Sequence, residues 1–262
     1  MASLAAIYVY PIKSLDARSV ETATISPGGS LARDRRYAMV DDHGEYVNGK
    51  RTAAVHGIDA DFDPACEIVT LDDANESASE PARFDLTRER EAAEAWLDER
   101  FEPSITLLED DELGYPDDTT DFGPTVISTG TLETVAGWFN AVDGPDEMRR
   151  RLRPCLVVEA EPFWEDRLYA GPDEHVEFPI GDVSFEGAGP CQRCVVPTRD
   201  PDTGEVVENF RKQFVDRREA TLPAWADRRQ FDHFYRVMVN TRTPEASLGE
   251  TIGVGDEVVI ED

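Results

Sequence analysis

Gly189-Pro190-Cys191-Gln192-Arg193-Cys194-Val195-Val196-Pro197, followed by Asp200-Pro201-Asp202-Thr203-Gly204, is the stretch from which the rest of the chain is best read. Two cysteines enclose an arginine, and a β-prone run comes next. This pattern predicts a strand over 194–197 and a hairpin turn at Asp-Pro-Asp-Thr-Gly. Short segments of the same kind flank it. Strands are expected over 155–159, 176–178, 183–186, 235–239 and 257–260, with turn residues between them. Many short, evenly punctuated strands point to a closed or nearly closed barrel.

The cysteine pair admits four readings. A structural zinc site needs four ligands, but Cys66 and Cys155 lie far away in sequence and His43, His56, His175 and His233 are scattered. A redox disulfide of the thioredoxin kind opens a helix after a strand, whereas Cys194 leads into Val195-Val196. A plain structural pair is the third reading. The fourth is a thiolate beside Arg193, a soft ligand for a high-valent metal already held by other sulfurs. Asp200-Pro201-Asp202-Thr203-Gly204 also resembles the start of a calcium loop, but the later acidic ligands are missing.

Working outward, residues 5–11, 19–26, 37–40, 45–48 and 68–71 read as strands, with Asp41-Asp42-His43-Gly44 a hairpin signal and 72–81 a polar surface loop. Ala93, Trp96, Leu97 and Phe101 share one helical face, predicting a helix over 87–101. Leu132, Val135, Ala136 and Phe139 mark a second helix, with Thr129 or Thr131 as its N-cap. A third is expected over 209–218. The acidic, Gly- and Pro-containing run 109–121 reads as a junction. The expected architecture is mainly β with a few helices (α+β): a small N-terminal β domain, 1–115, and a second β-barrel domain, 116–262.

Composition narrows the partners. The 262 residues carry 55 acidic against 26 basic side chains, a formal charge of −29. Lysine occurs only at Lys13, Lys50 and Lys212. This balance is typical of halophilic proteins, because at 1 M salt the screening length falls to roughly 3 Å and mutes self-repulsion. It argues against nucleic-acid or anionic-membrane binding. No signal peptide or run of about 20 apolar residues is evident, so the expected location is cytoplasmic. Against this background two basic clusters stand out, Arg33-Asp34-Arg35-Arg36 and Arg149-Arg150-Arg151-Leu152-Arg153-Pro154. Arginine's fork matches phosphate bidentately, so the clusters are candidates for an anion site completed by Lys13-Ser14.

Tyr8-Val9-Tyr10-Pro11-Ile12-Lys13-Ser14 and Arg33-Asp34-Arg35 resemble the N-terminal β-barrel domain that precedes MOSC domains. Arg153-Pro154, Cys191-x-Arg193-Cys194, Asp200-Pro201-Asp202-Thr203-Gly204 and Gly253-Val254-Gly255-Asp256 resemble the MOSC domain itself, named after the C-terminal domain of molybdenum cofactor sulfurases. The pattern is most similar to the amidoxime-reducing members. The resemblance implies a molybdenum–pterin cofactor with Cys194 as its metal ligand and catalytic sulfur. Lys13, Ser14, Arg35 and Arg153 would hold the pterin and its phosphate, and Asp121 and Gln192 would line the same pocket. The chain departs from the family at Cys155, where Asn is common after Arg-Pro, and at Gln192, where a small residue is common. The implied activity is reduction of small N-hydroxylated (N–O) compounds by oxygen-atom transfer. Electrons would come from a separate ferredoxin- or flavoprotein-like donor, since no iron–sulfur cysteine set follows. The alternative left open is a non-catalytic carrier that delivers molybdenum cofactor or sulfur.

Overall fold

The computed structural model describes residues 2–75, 80–102, 104–118, 120–172 and 174–260. The loop expected over 72–81 lies partly outside them. In chain order the elements are β1 (Ala2–Val9), β2 (Arg18–Val20), β3 (Thr22–Thr24), β4 (Tyr37–Asp41), β5 (Ile58–Phe62), β6 (Ile68–Asp73), β7 (Ala82–Asp85), α1 (Arg90–Asp98), β8 (Ile105–Glu109) and β9 (Val126–Ser128). There follow α2 (Thr129–Ala136), α3 (Gly144–Leu152), β10 (Leu156–Glu159), β11 (Val176–Ile180), β12 (Val183–Gln192), α4 (Phe210–Ala220), β13 (Arg236–Arg242), β14 (Thr251–Gly253) and β15 (Glu257–Val258).

Seven strands close into a barrel in the order β1-β10-β9-β13-β12-β11-β15, with β15 returning to β1 and β2 hanging from β1. The β9–β10 pairing is parallel, and a parallel pair needs a long crossover, which α2 and α3 supply. In β1 the side chains of Leu4 and Ile7, three residues apart, join the same core as Leu156, Val158, Phe178 and Phe185. Strict alternation would put them on opposite faces, but a register shift between Leu4 and Ala6 re-aims the strand. Ala6 and Tyr8 instead face the helical layer, where Phe139 and Phe210 stack at 4.0 Å and Phe214 meets Trp138 at 5.3 Å. Gly187 of β12 is fixed by contact, because a Cβ there would sit 1.7 Å from the Leu168 carbonyl oxygen.

The rest of the N-terminal half forms two small sheets. β4 pairs with β8 from Tyr37↔Glu109 to Asp41↔Ile105. β5, β6 and β7 make a three-stranded antiparallel sheet, and β5 alternates buried and exposed residues as a half-covered strand should. Ile12, Leu15, Met39, Val69, Leu97 and Ile105 share its core. Hydrogen-bonded pairing crosses the expected boundary at 115: β1 is a barrel stave, and β3 pairs with β14. β1 and β3 are thus paired with strands of the second half, while Ile12 and Leu15 between them pack in the N-terminal core.

Two local expectations are corrected. Residues 194–197 are not a strand: β12 ends at Gln192, opposite Arg236, and Val196–Thr198 is a 3₁₀ turn. Val195 is already helical (φ −72°, ψ −22°), and Pro197 has no N–H to give a ladder, so β-propensity loses to the end of pairing. The N-cap of α2 is Ser128, whose Oγ accepts the Thr131 N–H at 3.1 Å. The Asp-Pro-Asp-Thr-Gly turn is a hairpin, closed by Asp200 N–H to Glu205 O at 2.7 Å and flanked by an Arg199–Val206 bridge.

One buried ionic cluster gives a pH prediction. Glu165 and Asp166 are adjacent and both 1% exposed, yet Arg218 bonds only Asp166, at 2.6 and 2.8 Å. Glu165 Oε2 accepts from Ser128 N–H and Thr131 Oγ1, while Oε1 is buried with no partner. Burial, with Asp166 beside it, pushes Glu165 up to about 7. The folded state then binds this proton more tightly than the unfolded chain. Its contribution is present at acidic pH and fades as pH rises from about 4.5 through about 7, on the order of 3 kcal/mol in all. Glu165→Gln copies the protonated shape. The difference in melting temperature between variant and wild type should therefore grow in the variant's favour from pH 5 to 8. A difference independent of pH would refute this.

Candidate functional site

A cavity of about 930 Å³ opens between the two halves. Its walls come from segments 14–17, 30–35 and 48–61 on one side and 149–155, 188–201 and 230–240 on the other, with 113–125 along the seam. Arg35, Lys50, Arg149, Arg150, Arg151, Arg153, Arg193, Arg199 and Arg236 line it, against eight aspartates. A chain with twice as many acids as bases thus presents near-parity here, which a random share of the surface would not.

Folding separates the arginines of the 149–153 run. Pro145 and the acidic Asp146 and Glu147 open α3, and the arginines close it, as the helix dipole favours. Arg151 turns fully inward, bonding Glu147, the Pro197 carbonyl at 3.3 Å and the Arg199 carbonyl, and so anchors the segment after Cys194. Arg150 pairs with Asp202 at 2.5 Å, and Arg149 lies over Tyr8 at 4.3 Å. Arg153 leaves the helix in the left-handed region (φ 57°) because Pro154 bars the α conformation before it. Its Nη2 bonds the Leu15 carbonyl at 2.7 Å. Among the described residues no carboxylate lies within ion-pair distance of it. Burial lowers its pKa, and Arg35 nearby adds to that.

From the other half, Arg35 is also left-handed (φ 53°), as is Ser14 (φ 81°). Held outliers of this kind tend to gather where function demands them. Arg35 pairs with Asp34 and, at 3.3 Å, with Asp117. Both guanidiniums contact one ring: Arg35 lies 5.1 Å and Arg153 4.2 Å from the Tyr10 centroid. Arg36 points elsewhere, bonding Glu109 and Asp111. Lys13 stands just behind the cavity wall rather than on it. Its ammonium spends its three donors on the Tyr115 and Pro116 carbonyls (2.8 and 2.9 Å) and on Asp117 (3.1 Å). Burial lowers Lys13. Burial alone would raise Asp117, but Arg35 and Lys13 outweigh it and hold the carboxylate well below the usual range.

Cys194 lies on the cavity wall, half-buried, two residues past the end of β12. Its sulfur accepts the Val196 N–H at 3.4 Å, so the 3₁₀ turn, not a strand, sets its direction. Cys191 is occupied differently: Arg193 Nη1 lies 3.1 Å from its sulfur, and Arg193 Nη2 bonds the Leu152 carbonyl at 2.8 Å. Gln192, exposed, and Asp121 also line the cavity, and Asp121 is held by Arg242 Nε at 2.6 Å. Of the residues expected from sequence, Ser14, Arg35, Asp121, Arg153, Gln192 and Cys194 share one wall system, with Lys13 behind it. Sequence reasoning missed Asp34 and Asp117, Asn240, bonded to Asp118 at 3.1 Å, and His56. Cys155 stands beside Arg35 (3.8 Å), and burial pushes its thiol up, so it faces the cavity wall uncharged.

A barrel closed by its own N-terminal strand, with an arginine-rich cavity that holds Cys194 on its wall, defines a class. The family model for the MOSC N-terminal beta barrel domain matches residues 1–104, and that for the MOSC domain matches 112–259. The chain belongs to the MOSC family, which is associated with the molybdenum cofactor. It is similar to mitochondrial amidoxime-reducing component 1 of Danio rerio, with 25% identity over 237 residues, covering 76% of this chain and 69% of that protein.

Proposed function

We propose that the chain is a molybdenum-cofactor enzyme that reduces N-hydroxylated compounds, with Cys194 as the metal's protein ligand. The observation that carries this reading is Arg153: a cation in a strained backbone conformation, without a carboxylate partner among the described residues, in the same cavity as a half-buried cysteine. The donor set fits the group. Arg193 Nε and Arg199 Nε are also buried with no partner, and a phosphate-bearing pterin would supply acceptors. Arg35 and Arg153 would hold its phosphate and Ser14 its polar edge, while Cys194 offers a soft sulfur. Bound there, the cofactor would supply two-electron removal of oxygen from an N–O bond, with a separate reducing protein restoring the electrons. The chain's own part is to fix the cofactor from both halves, to hold the Cys194 sulfur in place through the Val196 N–H, and to leave Gln192 facing an incoming small molecule.

Charge-assisted hydrogen bonds contribute on the order of 1.5–3 kcal/mol each. Arg35→Ala and Arg153→Ala should each weaken cofactor binding about tenfold to a hundredfold. Because they would share one ligand, the double variant should lose less than the product of the two. Arg36→Ala, whose partners lie outside the cavity, should keep its cofactor. Occupancy is read as molybdenum content and released pterin fluorescence under competition for limiting cofactor. Full loading of both single variants, or equal loss in Arg36→Ala, would defeat the phosphate assignment.

A further inference from the structure

We infer that Asp117 is a built-in stand-in for the cofactor's anion: its carboxylate occupies the seat formed by Lys13 and Arg35, and an incoming phosphate must displace it. The inference rests on reading the cavity as a cofactor site, and it adds a step of regulation to that site.

The geometry is specific. Asp117 reaches Lys13 Nζ with one oxygen (3.1 Å) and Arg35 Nε with the other (3.3 Å), bridging two cations from separate turns of the N-terminal half. Carboxylate and phosphate are the two groups that arginine and lysine bind alike. Lys13, 6% exposed, has no donor left over, since the carbonyls of Tyr115 and Pro116 take the other two. Lys13 and Arg35 are balanced in charge by Asp34 and Asp117. A ligand phosphate, at about −1.5 to −2, would therefore meet no net attraction from this quartet while Asp117 stays. With Asp117 withdrawn, the seat gains a full positive charge beside Arg153.

Asp117 also differs from Asp34 in a way that makes it the displaceable partner. Asp34 is 7% exposed and accepts the Tyr10 N–H at 2.9 Å, which ties it to β1's exit. Asp117 has a side chain 52% open to the cavity and sits in the seam segment between β8 and β9, outside any helix or strand. Leu113 and Phe122 on the same segment are exposed at 56% and 41%, so little apolar packing holds it. Lys13, the Tyr115 N–H bond to the Arg35 carbonyl (2.8 Å) and the Asn240 bond to Asp118 (3.1 Å) are polar ties of this segment near Asp117. An anion that captures Lys13 loosens the segment as it binds.

The test uses cofactor-free protein and inorganic pyrophosphate as the probe, by calorimetry at fixed salt. Asp117→Asn keeps the shape and removes the charge, and it should bind pyrophosphate at least about tenfold more tightly than wild type. Asp117→Ser is the companion variant in case the amide disturbs folding. A second measurement needs no substitution: in wild type, pyrophosphate should speed amide hydrogen exchange across residues 112–118. Equal affinity in wild type and variant, with Arg153→Ala still weakening both, would overturn the stand-in while leaving the cofactor site intact. Weaker binding by Asp117→Asn would show that the carboxylate builds the seat, and would also overturn it. If no variant binds and Arg153→Ala changes nothing, both the stand-in and the anion site fail. Slower or unchanged exchange at 112–118 on saturation counts against displacement.

Discussion

Cys194→Ala should lose N–O reduction to background, while Cys191→Ala keeps activity within about tenfold of wild type, a difference of at most ~1.4 kcal/mol in the barrier. The two sulfurs line one cavity, so proximity does not separate them; their contacts do. Cys191 lies in the last turnless stretch of β12, and its sulfur is already paired with the Arg193 guanidinium. Cys194 lies beyond the strand, with a backbone N–H aimed at its sulfur, the kind of outer contact that orients a metal's ligand. The direct measurement is X-ray absorption at the molybdenum edge on protein from a host that makes the cofactor. Cys194→Ala should lose one sulfur scatterer and Cys191→Ala none. Identical spectra for wild type and Cys194→Ala would remove Cys194 from the metal.

Arg218→Ala should be the most damaging change to stability away from the cavity. Arg218 is fully buried, donates from Nη2 to both carboxylate oxygens of Asp166, and lies 4.5 Å from the Phe163 ring centroid. Its loss leaves Asp166 with the Tyr169 hydroxyl (2.9 Å) and a neighbouring buried carboxyl. Breaking a buried pair from one side costs about 3–5 kcal/mol, or roughly 6–20 °C in melting temperature for a chain near this size. The double change Arg218→Met with Asp166→Leu should recover much of that, because neither charge then remains buried. A single variant that melts within a few degrees of wild type would show that the pair contributes little.

The barrel was legible because its strands are short, alternating and bounded by turn residues. The 176–178 and 183–186 readings fall inside β11 and β12, and 235–239 overlaps β13 from Arg236 onward. The candidate cavity was legible because arginine-rich runs are conspicuous in so acidic a chain. The failures have physical causes. Val195-Val196 favours a strand, but a strand needs a partner, and pairing ends at Gln192 opposite Arg236. The helix α3 went unread because its polar sequence shows little apolar periodicity. Its signals were Pro145 at the start and charges graded from acid to base. Asp117 carries no local mark at all. Its two ion pairs are with Lys13 and Arg35, which only the fold brings to it. Nor did the sequence show that residues 2–9 belong to the other half's barrel, because a strand's own pattern does not name its neighbour.

That last pairing bears on how the protein is made. Residues 2–9 leave the ribosome long before Leu156–Glu159 and Glu257–Val258, the two strands they must join. Contacts so distant in sequence delay closure; until then β2 can cover only Ile7–Val9 on one side of β1, and the edge that β10 takes stays unpaired, an invitation to neighbouring chains. Short length, the bulge after Leu4 and a β15 of only two residues limit how well that edge templates anything else. Closure of this barrel therefore waits for Glu257–Val258, the strand that locks β1 into the wall.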